Sequence, residues 1–266
     1  MNTFYRVLKT LWLNRRIVFL TTFIELKKRH AGSILGMAWI VLYPALLLSM
    51  YMFIYLAVFK VRVSGITSPF EYSFFVLAGI IPYLGFAEVL NGSVLLLSQN
   101  RHLITNVIVP VEILPVRLVC IALVSQAVSL IILMTMLLIN GKFTIYWLWL
   151  PIMLGLQFLF LAGLAYIFAA LGVLMRDLSQ LMAILTLFLL FISPVGYTRE
   201  MVPAALQFVL YFNPVFYLVE TFREPLLHGR LPDLNLLLIY TALSFGLFTL
   251  GSIMFKKALH TLSDLA

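Results

Sequence analysis

Charge is scarce in this chain. Asp, Glu, Lys and Arg make up 11% of its 266 residues, against 63% for the apolar set including Tyr and Cys, and the mean hydropathy is +1.08. Soluble domains carry roughly 25% charged residues. A surface this poor in charge could not face water, so the composition points to an integral membrane protein.

Other scarcities exclude other classes. The one cysteine, Cys120, sits in an apolar run, which rules out a disulfide framework and a Cys-based zinc site. The four histidines (His30, His102, His228, His260) are scattered, none at metal-ligand spacing from another. Only three aspartates occur, Asp177, Asp233 and Asp264, far apart. Enzymes that handle lipid pyrophosphates through Mg²⁺ need clustered carboxylates, and no Ser/His/Asp set follows from spacing either. The phosphate-binding pattern G-x-x-x-x-G-K-[ST] is missing, since Gly141-Lys142 runs into Phe143. Any nucleotide-driven work is therefore expected from a separate protein. Charges at Arg6, Lys9, Arg15 and Arg16 interrupt any signal-peptide core. The net charge of +8 reads as basic loops facing anionic lipid rather than as a nucleic-acid surface.

What is present is long hydrophobic runs. A helix needs about 20 apolar residues to cross ~30 Å of hydrocarbon. Spans are expected at about 35–59, 72–97, 116–140, 144–174, 178–197 and 234–255, with Glu88 the one charge inside the second run. A further uncharged run, 201–219, is divided by Pro203, Gln207, Asn213 and Pro214. Proline lacks an N–H and disfavours helix at the residue before it. Two half-helices dipping in and returning, within about 199–228, fit better than a seventh span. With six spans and both termini inside, twelve of the eighteen Lys and Arg fall on the cytoplasmic side. A seventh would put Lys256 and Lys257 outside, against the positive-inside tendency.

Residues 1–32 carry seven Lys and Arg against Glu25 alone, with Phe4, Val7, Leu8, Leu11, Val18, Phe19, Phe23 and Leu26 at helical spacing. They read as an amphipathic helix in the interface plane. It serves either as a headgroup anchor or as a platform for a cytoplasmic partner. Gly32 can end that helix and Ser33 can cap the first span. The expected fold class is all-α integral membrane: this interface helix (1–32), then one transmembrane domain (33–266) of six helices with the re-entrant pair between the fifth and sixth.

Ionisable groups inside a membrane mark ion pathways. Glu88 is thin support for an ion-coupled carrier, because a place near the headgroups explains it equally well. The aromatics are many: 22 Phe, 12 Tyr and 4 Trp. Trp39 with Tyr43, Tyr51 with Tyr55, and Tyr83 with Phe86 each share a helix face. Sugar rings stack their C–H faces on aromatic planes, so such faces could line a channel in which a glycan slides. An interface belt or ordinary helix packing is the alternative.

Several motifs occur in a recognisable order. Arg29-His30-Ala31-Gly32-Ser33-Ile34-Leu35-Gly36-Met37-Ala38-Trp39, then Pro44, resembles the R-Y-x-G-S-x-L-G-x-x-W-x-x-x-x-P junction of permease subunits of ABC-2 type polysaccharide exporters, the O-antigen, capsule and teichoic-acid group. Here His30 replaces the usual Tyr and Ala31 stands where a basic residue is common. Pro110-Val111-Glu112-Ile113-Leu114-Pro115 resembles the family's P-x-E-x-x-P, and Arg176-Asp177 its R-D after the fourth span. Ser193-Pro194-Val195-Gly196-Tyr197 resembles S-P-V-x-Y, and Asn213-Pro214 followed by Arg223 its N-P…R.

The resemblance implies a homodimer of this chain with two copies of an ABC ATPase in the bacterial inner membrane. The pair would move a lipid-linked polysaccharide outward, with ATP and Mg bound by the ATPase, no cofactor or metal in this chain and no enzymatic activity of its own. A periplasmic or outer-membrane export partner is also implied. Contact with the ATPase would fall to Arg29, Gly32 and Ser33, to the loop at about 98–115 with Arg101, Pro110 and Glu112, and to Arg176 and Asp177. Pro194, Tyr197, Asn213, Pro214, Glu220 and Arg223 would belong to an outer gate, although Glu220 and Arg223 also read as a hydrated surface pair. An exporter of drugs or small lipids is the competing reading within the group, and a polyprenyl-lipid enzyme the one outside it.

Overall fold

The computed structural model describes residues 3–54, 57, 69–100, 110–175 and 177–263, all in helices, turns and short connections without a strand among them. Tyr55, Arg101 and Arg176 lie outside the described residues, as does the stretch 101–109 of the loop expected at 98–115.

The N-terminal region is two helices, not one. Helix α1 (Thr3–Leu13) and α2 (Arg15–Arg29) break at Asn14, whose side-chain amide donates to the Thr10 carbonyl at 2.8 Å. An Asn side chain that bonds a carbonyl one turn back competes with the backbone ladder there. Val7 and Leu11 of α1, and Thr22 and Leu26 of α2, turn inward, while Trp12, Leu13, Phe19, Leu20, Phe23 and Ile24 remain exposed. Lys27, Lys28 and Arg29 fill the last turn of α2, where cations favour the helix dipole. Gly32, at φ +80°, redirects the chain.

A 3₁₀ turn, Gly36–Ala38, leads into α3 (Trp39–Phe53), of which only Pro44 and Leu48 are buried. Helix α4 (Pro69–Ser93) is the opposite case: apolar almost all round, it is buried along most of its length and forms the centre of the bundle. A short α5 (Leu96–Gln99) follows. Then come α6 (Ile113–Ile139), a 3₁₀ turn Ile145–Trp149 with α7 (Leu150–Leu174), and α8 (Leu178–Ile192). The break expected around Pro214 is present: α9 (Gln207–Phe212) and α10 (Pro214–Arg223) belong to segments that meet at 91°. A π turn, Glu224–His228, precedes the last helix, α11 (Leu234–Ser263).

Among the described residues, five helical stretches are long and apolar enough to cross a bilayer: Gly36–Phe53, Phe70–Ser93, Ile113–Ile139, Ile145–Leu174 and Leu234–Leu259. The number is six if the bent pair Ala204–Phe212 and Pro214–His228 counts as one span. The fifth expected span, 178–197, is shorter than anticipated. Its helix α8 has 15 residues, about 22 Å at 1.5 Å per residue, because Ser193-Pro194 turns the chain. The last helix is longer, running on through Lys256 and Lys257.

Packing explains the order. Helices α7 and α11 cross so closely that a Cβ on Gly163 would stand 2.4 Å from the Leu247 backbone, and one on Gly251 2.3 Å from the Gly163 carbonyl oxygen. Lipid tails are as apolar as Leu, so small residues that admit backbone contact supply the association. Between α6 and α7 the amides of Gln126 and Gln157 bond reciprocally at 2.7 and 2.8 Å, and Gln157 also donates to the Pro82 carbonyl. Helix α1 packs on α11 and α2 on α6, which defines a proximal end bearing the N-terminal helices. The connections 140–149 and 193–233 form the distal end.

Candidate functional site

Two polar clusters stand out, one at each end. At the proximal end a recess of about 490 Å³ opens between α2, α3, α4 and α6. Trp39, Tyr43 and Pro44 of α3 form one wall. Asn91 and Glu88 of α4, with Ser125, Gln126 and Ser129 of α6, supply amides, hydroxyls and a carboxylate opposite. Arg29 and His30 lie at the rim, and Arg29 Nη1 donates to Glu88 Oε1 at 2.5 Å. Glu88 is thus neither free in hydrocarbon nor simply hydrated; it ties the end of α2 to the central helix.

The Ser33 hydroxyl does not cap the first span. It accepts from Trp39 Nε1 at 2.8 Å and leaves the start of the helix without a side-chain cap. That bond fixes the indole beside the recess. Of the six aromatics read as a channel, Trp39 and Tyr43 line the recess, and Tyr51 packs half-buried against the core. Tyr83 and Phe86 face the packed interior instead: the Tyr83 hydroxyl donates to the Thr186 carbonyl, and Phe86 stacks on Phe160 at 6.2 Å. Their shared face is as expected, but it is an inner one.

Of the residues expected at the ATPase side, Pro110, Glu112 and Asp177 stand at this same end. Glu112 precedes α6, and its carbonyl accepts from the Tyr166 hydroxyl at 2.9 Å. Pro110 is half-buried just before it, and Asp177 precedes α8 without a side-chain cap bond. Arg117 was not singled out from the sequence, yet it joins three elements. Its Nη2 donates to Asn100 Oδ1 at 2.9 Å and its Nη1 stands 3.8 Å from Glu25 Oε2. The only signal was a lone cation opening an apolar run.

The distal cluster draws distant motifs into one knot. Arg223 is 1% exposed, so it is no hydrated surface residue. Its Nη1 donates to Glu220 Oε1 at 2.6 Å, and its Nη2 to the carbonyls of Pro194 and Val195 at 2.8 and 3.0 Å. The guanidinium lies 3.7 Å from the Phe75 ring centroid, where the ring's quadrupole favours a cation. Asn213 caps α10 through its Oδ1, which accepts from Val215 N–H at 3.0 Å, while its Nδ2 donates to Ser193 Oγ at 2.8 Å. Pro214 occupies the first helical position, where a missing N–H costs nothing. The Tyr72 hydroxyl holds the Gly196 carbonyl and Tyr197 bonds back to Ile192, both at 2.6 Å. Next to the knot, Glu224 receives two bonds from Arg230, at 2.5 and 3.1 Å. That carboxylate holds the Arg230 guanidinium above its usual pKa.

No group of three or more His, Cys, Asp or Glu that could hold a metal occurs among the described residues. The arrangement is a bundle of apolar helices with a recess at one end and a tied, bent segment at the other, which is the build of a multi-pass membrane transport component. The sequence profile of ABC-2 type transporters matches residues 17–227, and the chain belongs to that family. It is similar to the O-antigen export system permease protein RfbA of Myxococcus xanthus, 27% identical over 255 residues that cover 95% of this chain and 96% of the relative. RfbA of Klebsiella pneumoniae is 24% identical over 243 residues, 91% of each. The polysialic acid transport protein KpsM of Escherichia coli is 25% identical over 222 residues, 82% of this chain and 84% of that one.

Proposed function

We propose that this chain is the permease subunit of an ATP-driven exporter that moves a lipid-linked polysaccharide outward across the bacterial inner membrane. It works as a homodimer with two ATPase subunits and keeps both termini on the cytoplasmic side. One observation carries the reading: the proximal recess sets the aromatic faces of Trp39 and Tyr43 across from the Asn91 amide and the Ser125 and Ser129 hydroxyls. Aromatic planes accept sugar rings without holding them, and amides and hydroxyls exchange bonds with sugar hydroxyls. Similarity over 95% of this chain to a protein named for O-antigen export, and over 82% to one named for polysialic acid transport, supports the same reading.

The mechanism follows from the bundle. Helices α3 and α8 carry exposed apolar faces, with Tyr43, Leu46, Met50 and Phe53 on one and Ile184, Leu187, Phe188 and Phe191 on the other. A two-fold copy covers those faces and closes the recess into a channel. The loop before α6, with Arg101 and Glu112, docks on the ATPase, and its movement passes through α6 to the distal end. A return of the bent segment 199–228 to the distal side is supported by Thr144 Oγ1 and Trp147 Nε1, which hold the carbonyls of Pro225 and Leu226 at 3.0 and 3.2 Å. The segment forms a re-entrant gate rather than a crossing.

The test is ATP-driven transport in proteoliposomes that hold this chain and its candidate ATPase, with assembly followed by co-purification. Outward movement of a lipid-linked glycan is expected, and it should be lost in Arg101→Ala and Glu112→Ala. Export of the lipid without regard to its glycan would select the small-lipid reading. Transport driven by an ion gradient without nucleotide would overturn both.

A further inference from the structure

Beneath the N-terminal helices lies a second cavity, of about 760 Å³, bounded by α1, α2, α3 and α6 with Phe158 of α7 behind. Its wall is hydrocarbon almost throughout, as Leu11, Phe19, Leu26, Ile40 and Leu123 illustrate. The Thr22 hydroxyl on that wall is engaged by the Val18 carbonyl at 2.7 Å. A buried water needs two to four polar partners, and this wall does not offer them. The cavity therefore calls for an apolar occupant, and its volume falls in the ordinary range of small-ligand sites.

The mouth identifies the chemistry of the other end of that occupant. Trp12 and Phe19, both wall residues, are exposed, so the cavity opens sideways rather than into the bundle. Arg15 stands at the opening, its guanidinium 5.0 Å from the Trp12 ring and its Nη1 bonded to the Trp12 carbonyl at 3.0 Å. Arg16 follows it. Neither pairs with a carboxylate among the described residues, since the acidic residue of this region, Glu25, faces Arg117. Both begin α2, where the helix dipole adds to the attraction for an anion.

We propose that this cavity binds one anionic phospholipid of the surrounding bilayer, with an acyl chain wedged under the N-terminal helices and its phosphate set against Arg15 and Arg16. The lipid then fixes the posture of α2, the helix that carries both Arg29, paired with Glu88, and Glu25, near Arg117. This site adjoins the recess across Leu26 and Ile40, which line both, and does not depend on what the chain exports.

Cys120 lines the cavity and is the only cysteine in the chain, which makes it a reporter. The full chain is reconstituted in phosphatidylcholine with or without phosphatidylglycerol, and the modification of Cys120 by a membrane-permeant maleimide is timed. Phosphatidylglycerol should slow modification about tenfold, equivalent to ~1.4 kcal/mol, and Arg15→Glu with Arg16→Glu should abolish the difference. Native mass spectrometry should find one phosphatidylglycerol per chain. That adduct should disappear in Val124→Phe, which fills the cavity from an exposed wall position, while the thermal melt stays unchanged. Equal protection by phosphatidylcholine overturns the proposal, as does protection by a polyprenyl phosphate but not by phosphatidylglycerol. So does cross-linking of Cys120 to a second copy by a short bis-maleimide.

Discussion

At the proximal end Arg29 and Glu88 meet with 40% and 28% of their side chains exposed, across an open recess. At the distal end Arg223 is 1% exposed and is held by a carboxylate, two carbonyls and a ring. Exposed pairs contribute about 0–1 kcal/mol, whereas removing one partner from a buried pair costs about 3–5 kcal/mol. One end is thus cheap to rearrange, and the other moves only as a tied block. A bundle that admits cargo at the first end and keeps the second shut until driven would need that asymmetry.

The contrast is tested first by Arg223→Ala, which strands Glu220 and two carbonyls. A loss of about 3–5 kcal/mol is expected, read as a collapse of folded yield and thermal midpoint in detergent. Arg223→Lys should rescue little, because an ammonium cannot reproduce the planar fork. Next is Gly79→Ala, whose Cβ would stand 2.6 Å from Arg223 Nη2. Overpacking there should cost about 1–3 kcal/mol, and the melt should resemble a weaker version of Arg223→Ala. Gln126→Leu alone leaves Gln157 short of its partner and should cost about 1–3 kcal/mol; the double change with Gln157→Leu should recover part of it. The smallest effect on stability is expected from Glu88→Gln, about 1 kcal/mol or less, with transport altered more than the melt. If Glu88→Gln unfolded the chain as readily as Arg223→Ala, the two ends would not differ as described.

The helices were legible in the sequence because a crossing leaves a long apolar run, and Pro214 announced the break before α10. Burial was not. Tyr83 and Phe86 share a face by spacing, but spacing does not say whether that face meets a cavity or the core. Arg223 read as part of an outer gate or as a hydrated partner of Glu220, and its burial stayed hidden because what buries it are Phe75, Pro194 and Val195, between 28 and 148 positions away. The N-terminal helix breaks at Asn14, whose side chain bonds the Thr10 carbonyl one turn back, a local choice that the surrounding apolar periodicity masked. Ser33 stood where a cap belongs, yet the indole six residues on claimed its oxygen.

The last helix has a practical use. At 30 residues it extends for about 45 Å, well beyond the ~30 Å of hydrocarbon, and its close crossing with α7 anchors it to the rest of the bundle. A rigid marker protein joined in continuous helical phase at Ser263 would inherit that anchoring and stand at a fixed angle to the bundle. A chain of 30.3 kDa, most of it hidden in a micelle, would then offer electron microscopy a landmark for aligning its images.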